Sequence, residues 1–441
     1  MEKKNLRAVL VVALLALLLV SLLSCTAAPT ATPVPAKPTV PEPVTITFWH
    51  IYGPEMGGAN AWFNEMVKQF EASNPNVKVK MEVFANDPYK TKLPTAIAAG
   101  EAADGFMVYP GAWTEPFARK GIIEQIDKYL DTGGWRDQFV PSSFDECSWD
   151  GKTYCVPFSL RTVHVWYNKE LFSQNTLTIP KNIGEMEALA ATLKSKGITP
   201  FAVGMKEGHH GWQWYLSLLG RVGGYEAFAD IKQSKAGAWN SPSVIRTFRI
   251  LQDWTAKGYF NEGATALGIM DVNPPFFTGK TAMIVNGTYF VDQVQSLAGK
   301  DWLDNKLGFF NMPLVPDGKG DMGVYHGGVG AAFVVNASSP RKAQVLEFYR
   351  YMFTRERVTD ASRRTNWVFC MKNTLPADAS PFLKSLGDEA AKMKQYIWYI
   401  DHTVPPKALL TAYSTLQGIF DRSVTPEQAA AQMEQAVQAA K

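Results

Sequence analysis

The order of elements legible in this 441-residue chain predicts an α/β protein with a largely parallel sheet, folded as two domains. Two observations carry that expectation. Short β-branched or aromatic runs alternate with helical stripes, the pattern of strand–helix–strand units that lay helices against a parallel sheet. The roughly 400 residues that follow the N-terminal leader also exceed what one hydrophobic core usually supports.

The leader comes first. Lys3, Lys4 and Arg7 precede an apolar run from Ala8 to Val20 that continues through Leu22 and Leu23. A positive start followed by a short apolar stretch reads as a secretory signal peptide, and the run is short of the roughly 20 residues a membrane span needs. Leu22-Leu23-Ser24-Cys25 resembles the bacterial lipobox, which implies cleavage after residue 24 and a lipid on Cys25. Residues 25–43 are then almost entirely Thr, Ala, Pro and Val. Such a stretch cannot bury a core and favours extended polyproline II, so it reads as a tether.

The first folded element is "VTITFWH", Val44 to His50, a β-branched and aromatic strand bounded by Tyr52-Gly53-Pro54. Phe63, Met66, Val67 and Phe70 follow at helical spacing, stopped by Asn74-Pro75. "VKVKMEVF" alternates strictly and reads as a strand. A helix around Leu93 to Ala99 ends at Gly100, and "GFMVYPGAW" reads as a buried strand. Further on, Met186, Leu189, Ala190 and Leu193 make a helical stripe closed by Gly197, and "PFAVG" from Pro200 is a short strand. "TAMIVNG" and "GAAFVVN" read as buried strands. Thr425-Pro426-Glu427-Gln428 is a capping-box start for a last helix.

Removing residues 1–24 takes three basic and one acidic residue from totals of 44 and 41, leaving a net charge of +1. A near-neutral body argues against a nucleic-acid partner. Thirteen Trp and 12 % aromatic residues supply both core and the surface a ligand cleft uses. Cys147 and Cys155 flank Asp150-Gly151, a hairpin-turn signal, so a cross-strand disulfide is expected there, with Cys370 free and buried. The alternative is three small buried thiols. No cysteine spacing matches a metal or redox motif, and no metal or cofactor is expected.

Several segments, taken in order, resemble the extracellular solute-binding proteins of ABC importers, in the maltose-binding-protein-like group. "TITFWHIYG", "YKTKLPTAIAAGEAADGFMV", "GKTYCVPFSLRTVHVWYNKELF", "FFTGKTAMIVNGTYF" and "SSPRKAQVLEFYRYMFTRE" carry the likeness, from Thr45 toward the C-terminus. The resemblance implies a two-lobe periplasmic-binding-protein-like fold of type II, with discontinuous lobes joined by a hinge. By it, residues 44–158 and 287–352 form lobe 1, and residues 159–286 and 353–441 form lobe 2. Chain crossings would lie after Val156-Pro157, near Asn286-Gly287 and around Phe353. It implies capture of a carbohydrate between closing lobes, by a monomer held at the outer face of the cell membrane that delivers to ABC permease subunits.

Sugars present apolar ring faces edged with hydroxyls, so the site needs aromatic platforms and hydrogen-bonding groups. His50 and Tyr52, past the first strand, are candidates, or else a capping His and a packing Tyr. Tyr109 and Trp113 stand where the resembling proteins place a sugar-contacting aromatic; one of the pair is expected at the ligand, and Trp113 is otherwise a loop anchor. Within "GHHGWQW", Trp212 or Trp214 should line the cleft while the other is core; His209 and His210, adjacent, make a poor metal pair. Asn286 and Tyr289 follow the expected hinge. Arg161 is a candidate for a hydroxyl or carboxylate, or for an interlobe salt bridge. Gly327 and Gly328 are expected to permit close backbone approach. Trp367 and Trp398 are weaker candidates. Leu409 stands where maltose-specific members carry a late Trp, which speaks against maltodextrin.

An extracellular carbohydrate-active enzyme is the rival of a different class, but no G-x-S-x-G or H-E-x-x-H occurs. Among binding proteins, a polyamine or other non-sugar solute is the alternative.

Overall fold

The computed structural model describes residues 43–441. The leader, Cys25 and the proline-rich stretch up to residue 42 lie outside the described residues. Twelve strands follow in order: β1 (Val44–His50), β2 (Val77–Val83), β3 (Gly105–Val108), β4 (Ser148–Trp149), β5 (Lys152–Thr153), β6 (Val156–Asn168), β7 (Thr199–Ala202), β8 (Thr281–Gly287), β9 (Leu307–Phe310), β10 (Val324–Val335), β11 (Val368–Phe369) and β12 (Gln395–Ile397).

Most strands predicted from alternation and β-branched runs form as expected, and β1 and β8 match "VTITFWH" and "TAMIVNG" residue for residue. "GFMVYPGAW", however, is a strand only over Gly105–Val108, Pro110 leading into a short helical turn at Gly111–Trp113. In the Gly57–Ser73 helix, Trp62, Phe63, Met66 and Phe70 are buried, each such large apolar side chain contributing about 1.5–3 kcal/mol. The Ile183–Ser195 helix buries the predicted stripe, and the Thr425–Gln428 capping box opens the Pro426–Ala439 helix. β4 and β5 pair antiparallel around Asp150 and Gly151, and Cys147 is bonded to Cys155. Cys370 is a buried free thiol.

The sheet is mixed rather than largely parallel. One ten-stranded sheet runs in the order β2-β1-β3-β10-β6-β8-β7, with β9 and β11 on β6 and β12 on β10. β1 is parallel to β2 and β3, and β7 to β8, but β10 lies antiparallel to both β3 and β6. The reason is the two long strands. β6 pairs with β10 at its start and with β8 and β9 at its end, while β10 pairs with β12 at its start and with β3 at its end. The chain passes from one lobe to the other along β6 and back along β10, so the two must run in opposite senses.

The cores part the chain at points other than those expected. Buried residues up to Leu160 share one core with Val329 through Met371; residues from Val163 on belong to the others. Phe290, Val294, Trp302 and Leu307 pack with Trp166 and Ile284 on the lobe 2 side, not with lobe 1. The return crossing therefore lies in β10, between Val324 and Val329, instead of near Asn286-Gly287. The last one falls between Met371 and Phe382 instead of at Phe353. After Gly287 the chain turns back as β9 onto the same end of β6, and no local signal distinguishes that return from a crossing.

Candidate ligand-binding site

A cavity of about 310 Å³ opens between the lobes. Its base is formed by the crossing strands, through Arg161 of β6 and His326 and Gly330 of β10. Lobe 1 contributes Ile51 and Tyr52 after β1, Asn86, Asp87 and Lys90 from the first turns of the Asn86–Ala99 helix, and Tyr109 after β3. These are the carboxyl ends of adjacent parallel strands, the usual ligand position in such sheets.

Lobe 2 presents the His209–Val222 helix. His209, Trp212, Gln213 and Leu216 line the cavity at positions i, i+3, i+4 and i+7, one face of that helix. Trp214 points the other way, into the core against Phe201, Trp254 and Phe260. "GHHGWQW" is thus the opening of a buried helix, and the helical stripe identifies Trp212 as the cavity residue. His210 turns to the backbone: its Nδ1 accepts from the Gly204 amide and its Nε2 donates to the Val285 carbonyl. Burial lowers its pKa to about 3, so it is neutral.

Five of the residues singled out from sequence, Tyr52, Tyr109, Arg161, Trp212 and Tyr289, line the cavity together. The other six do not. His50 stacks on Phe63 at 4.6 Å and accepts the Tyr52 amide through Nδ1, so it supports the Tyr52 loop from within the core. Trp113 packs edge-on against Tyr109 at 5.4 Å, holding that ring from behind. Trp214 is core. Asn286 is fully buried, its Oδ1 accepting from Gly287 and its carbonyl from the Trp166 indole. Gly327 and Gly328 do permit a close approach, but of the protein to itself. With φ of 144° and 136°, a side chain at Gly327 would meet the Arg161 carbonyl, and one at Gly328 the Glu146 carboxylate. Trp367 lies under Arg161, Trp398 carries Lys232 on its face at 3.7 Å, and Leu409 is buried in the lobe 2 core.

The polar groups fall into two ends. At one, Lys90 of lobe 1 pairs with Asp401 of lobe 2 at 2.8 Å and sits 4.8 Å from the Tyr109 ring. Burial opposes the charge on Asp401, yet Lys90 and His402 hold its carboxyl well below the usual range. Asp87 and Glu207 lie around the same group. The adjacent His402 bonds Glu146 of lobe 1 through Nδ1 at 2.8 Å, and the other Glu146 oxygen accepts the Val329 amide of β10. Lys90, Glu146, Asp401 and His402 went unread in the sequence because each gains meaning only from a partner in the other lobe.

At the other end are Arg161, Tyr52, Tyr289, His326 and Tyr399. Gln213 donates to the Tyr289 hydroxyl at 2.7 Å. His326 donates through Nδ1 to the Ile397 carbonyl, and burial, the largest influence, lowers its pKa to about 4, leaving Nε2 a bare acceptor. Five buried polar atoms on cavity residues have no partner: an Arg161 guanidinium nitrogen, His209 Nδ1, Gln213 Oε1, His326 Nε2 and the Tyr399 hydroxyl. Buried polar groups are normally paired, so such a convergence marks a place where a polar molecule completes the bonding.

Residues 53–357 match the family of bacterial extracellular solute-binding proteins. The chain belongs to that family. A chitin oligosaccharide binding protein shares its fold with a TM-score of 0.83 and 27 % identity, covering 90 % of this chain and 99 % of that one. A structure from work on xylan utilization by the thermophile Caldanaerobius polysaccharolyticus gives 0.82 and 29 %, covering 89 % and 99 %. The multiple sugar-binding protein of Streptococcus mutans is 23 % identical over 354 residues, 78 % of this chain and 80 % of that one. The two-lobe fold expected for this solute-binding protein is therefore present, and its relatives are binding proteins rather than enzymes. No helix among the described residues is long and apolar enough to cross a membrane.

Proposed function

We propose that this solute-binding protein captures a carbohydrate in the interlobe cavity, closes its lobes on it and delivers it to an ABC importer, without chemistry of its own. The observation that carries the reading is the lining itself. Aromatic rings of Tyr52, Tyr109, Trp212, Tyr289 and Tyr399 offer faces for sugar rings, and the unpartnered atoms of Gln213, His209, His326 and Tyr399 offer both donors and acceptors for hydroxyls. The oligosaccharide- and sugar-binding relatives support the same ligand class.

Cys25 carries lipid in this reading, and residues 25–43 form the tether that keeps the monomer near its permease and raises its effective concentration there. The Lys90–Asp401 ion pair and the Glu146–His402 hydrogen bond each join one lobe to the other. The test is intrinsic tryptophan fluorescence of residues 44–441 titrated with a panel of oligosaccharides, because Trp212 lies on the cavity wall. A saturable change with at least one sugar is expected; a response confined to polyamines overturns the carbohydrate assignment.

A further inference from the structure

Arg161 stands out among the cavity residues. It is 4 % exposed and lines the cavity, yet it makes no ion pair with any described carboxylate, and one guanidinium nitrogen is wholly without a partner. A guanidinium carries five donors and a fixed charge, and burying it uncompensated is costly. Its surroundings hold it in place without neutralising it. The guanidinium lies 3.5 Å from the centre of the Trp367 ring and 6.0 Å from that of Tyr289, so one face is covered by aromatic surface. Gly330 clears its path, since a side chain there would collide with the Arg161 stem and Nε.

No carboxylate of this region bonds the guanidinium directly. Glu146 divides its oxygens between the Val329 amide and His402. Asp292 takes the Gly58 amide, and one of its oxygens remains unpartnered. Meanwhile three of the four acidic residues that line the cavity, Asp87, Glu207 and Asp401, gather around Lys90 and His209; the fourth, Glu55, follows the Tyr52 loop and makes no ion pair with Arg161. The cavity is therefore electrically asymmetric, with an acidic cluster around Lys90 at one end and at the other a cation that no carboxylate bonds directly, Asp292 acting on it only through space.

We infer that the ligand carries a carboxylate, so that the solute is an acidic sugar such as a uronic-acid-containing oligosaccharide, with the carboxylate seated on Arg161. This rests on the carbohydrate reading above and narrows it. Arginine presents two parallel N–H donors that match a carboxylate, which a neutral hydroxyl engages only singly. Tyr52, Tyr289 and Tyr399, the hydroxyl groups nearest the guanidinium, then serve the neighbouring ring oxygens.

The test is calorimetric titration of the mature protein with matched pairs, cellobiose against cellobiouronic acid, and galacto- or xylo-oligosaccharides against their uronate-bearing counterparts. The expected result is that an acidic member binds at least tenfold tighter than its neutral match, that Arg161→Gln removes the difference and that Arg161→Lys keeps part of it. Neutral members binding as tightly as acidic ones overturn the inference and leave the carbohydrate reading standing. Silence toward every sugar of both kinds overturns the two together. Thermal unfolding of the ligand-free Arg161→Gln variant is a second arm. A melting temperature at or above that of the parent is expected, because a buried charge with no directly bonded carboxylate has been removed, whereas a clear fall makes Arg161 a structural cation and overturns the inference.

Discussion

Asp292 and Arg161 show how far single side chains depart from their behaviour in water. Burial pushes the Asp292 carboxyl up to about 6 from an ordinary 3.8, even though Arg161 and the Gly58 amide pull it down. The folded state therefore keeps a proton that the unfolded chain gives up across that interval. Stability from this group is fully present below pH 3.8, falls as the pH rises toward 6 and is gone above it. Asp292→Asn should flatten that slope and add about 2–3 kcal/mol at pH 7, read by urea unfolding at pH 4, 5.5 and 7. His50, His210 and His326 act in the opposite sense. Burial lowers each pKa, to about 3, 3 and 4, so the stability they contribute is present above 6.5 and is lost as the pH falls toward those values. At this scale the sequence named five residues of the site. Tyr52, Tyr109 and Tyr289 sit just past strand ends and Trp212 on a helical stripe, which local pattern reveals, whereas Arg161 stands within β6. Lys90 and Asp401 are 311 positions apart, and Glu146 and His402 are 256 apart, so no local pattern connects them.

Among the elements, β10 explains most of what sequence left out. Only its second half, "GAAFVVN", reads as a strand; the Gly327-Gly328 pair interrupts the apolar run, although the strand begins at Val324. Those glycines are the device that lets β10 lie against β6 and Glu146 at the crossing. Replacing Gly327 with Ala puts a side chain at φ 144° and against the Arg161 carbonyl, both penalised. A loss of about 1–3 kcal/mol is expected on denaturant unfolding, with no such loss for Gly57→Ala, whose side chain would meet only the Ser296 hydroxyl at an ordinary 3.7 Å on helical backbone. The His209–Val222 helix teaches a related point. It is buried on every side from His210 onward, so its polar and aromatic opening resembles a loop until the spacing of His209, Trp212, Gln213 and Leu216 is set on a helix.

Across the whole molecule, two lobes share one sheet, and the strands that join them also form the base of the cavity. A bend within β6 and β10 would move Arg161 and His326 together with the lobe walls, which couples closure to ligand contact. The alternation of strands and helices made the α/β class legible. The mixed sheet and the true crossing points were not, because both follow from long-range pairing of β6 with β10 rather than from any local run. The central claim is that the solute binds between the lobes, on the aromatic and unpartnered polar groups gathered there. A crystal structure of the mature protein with a bound oligosaccharide tests it most directly. Density for the sugar is expected in contact with Tyr52, Tyr109, Trp212 and Tyr289, its oxygens completing the bonding of Gln213, His326 and Arg161. Density anywhere outside the interlobe cavity, with those groups still unpartnered, would contradict it.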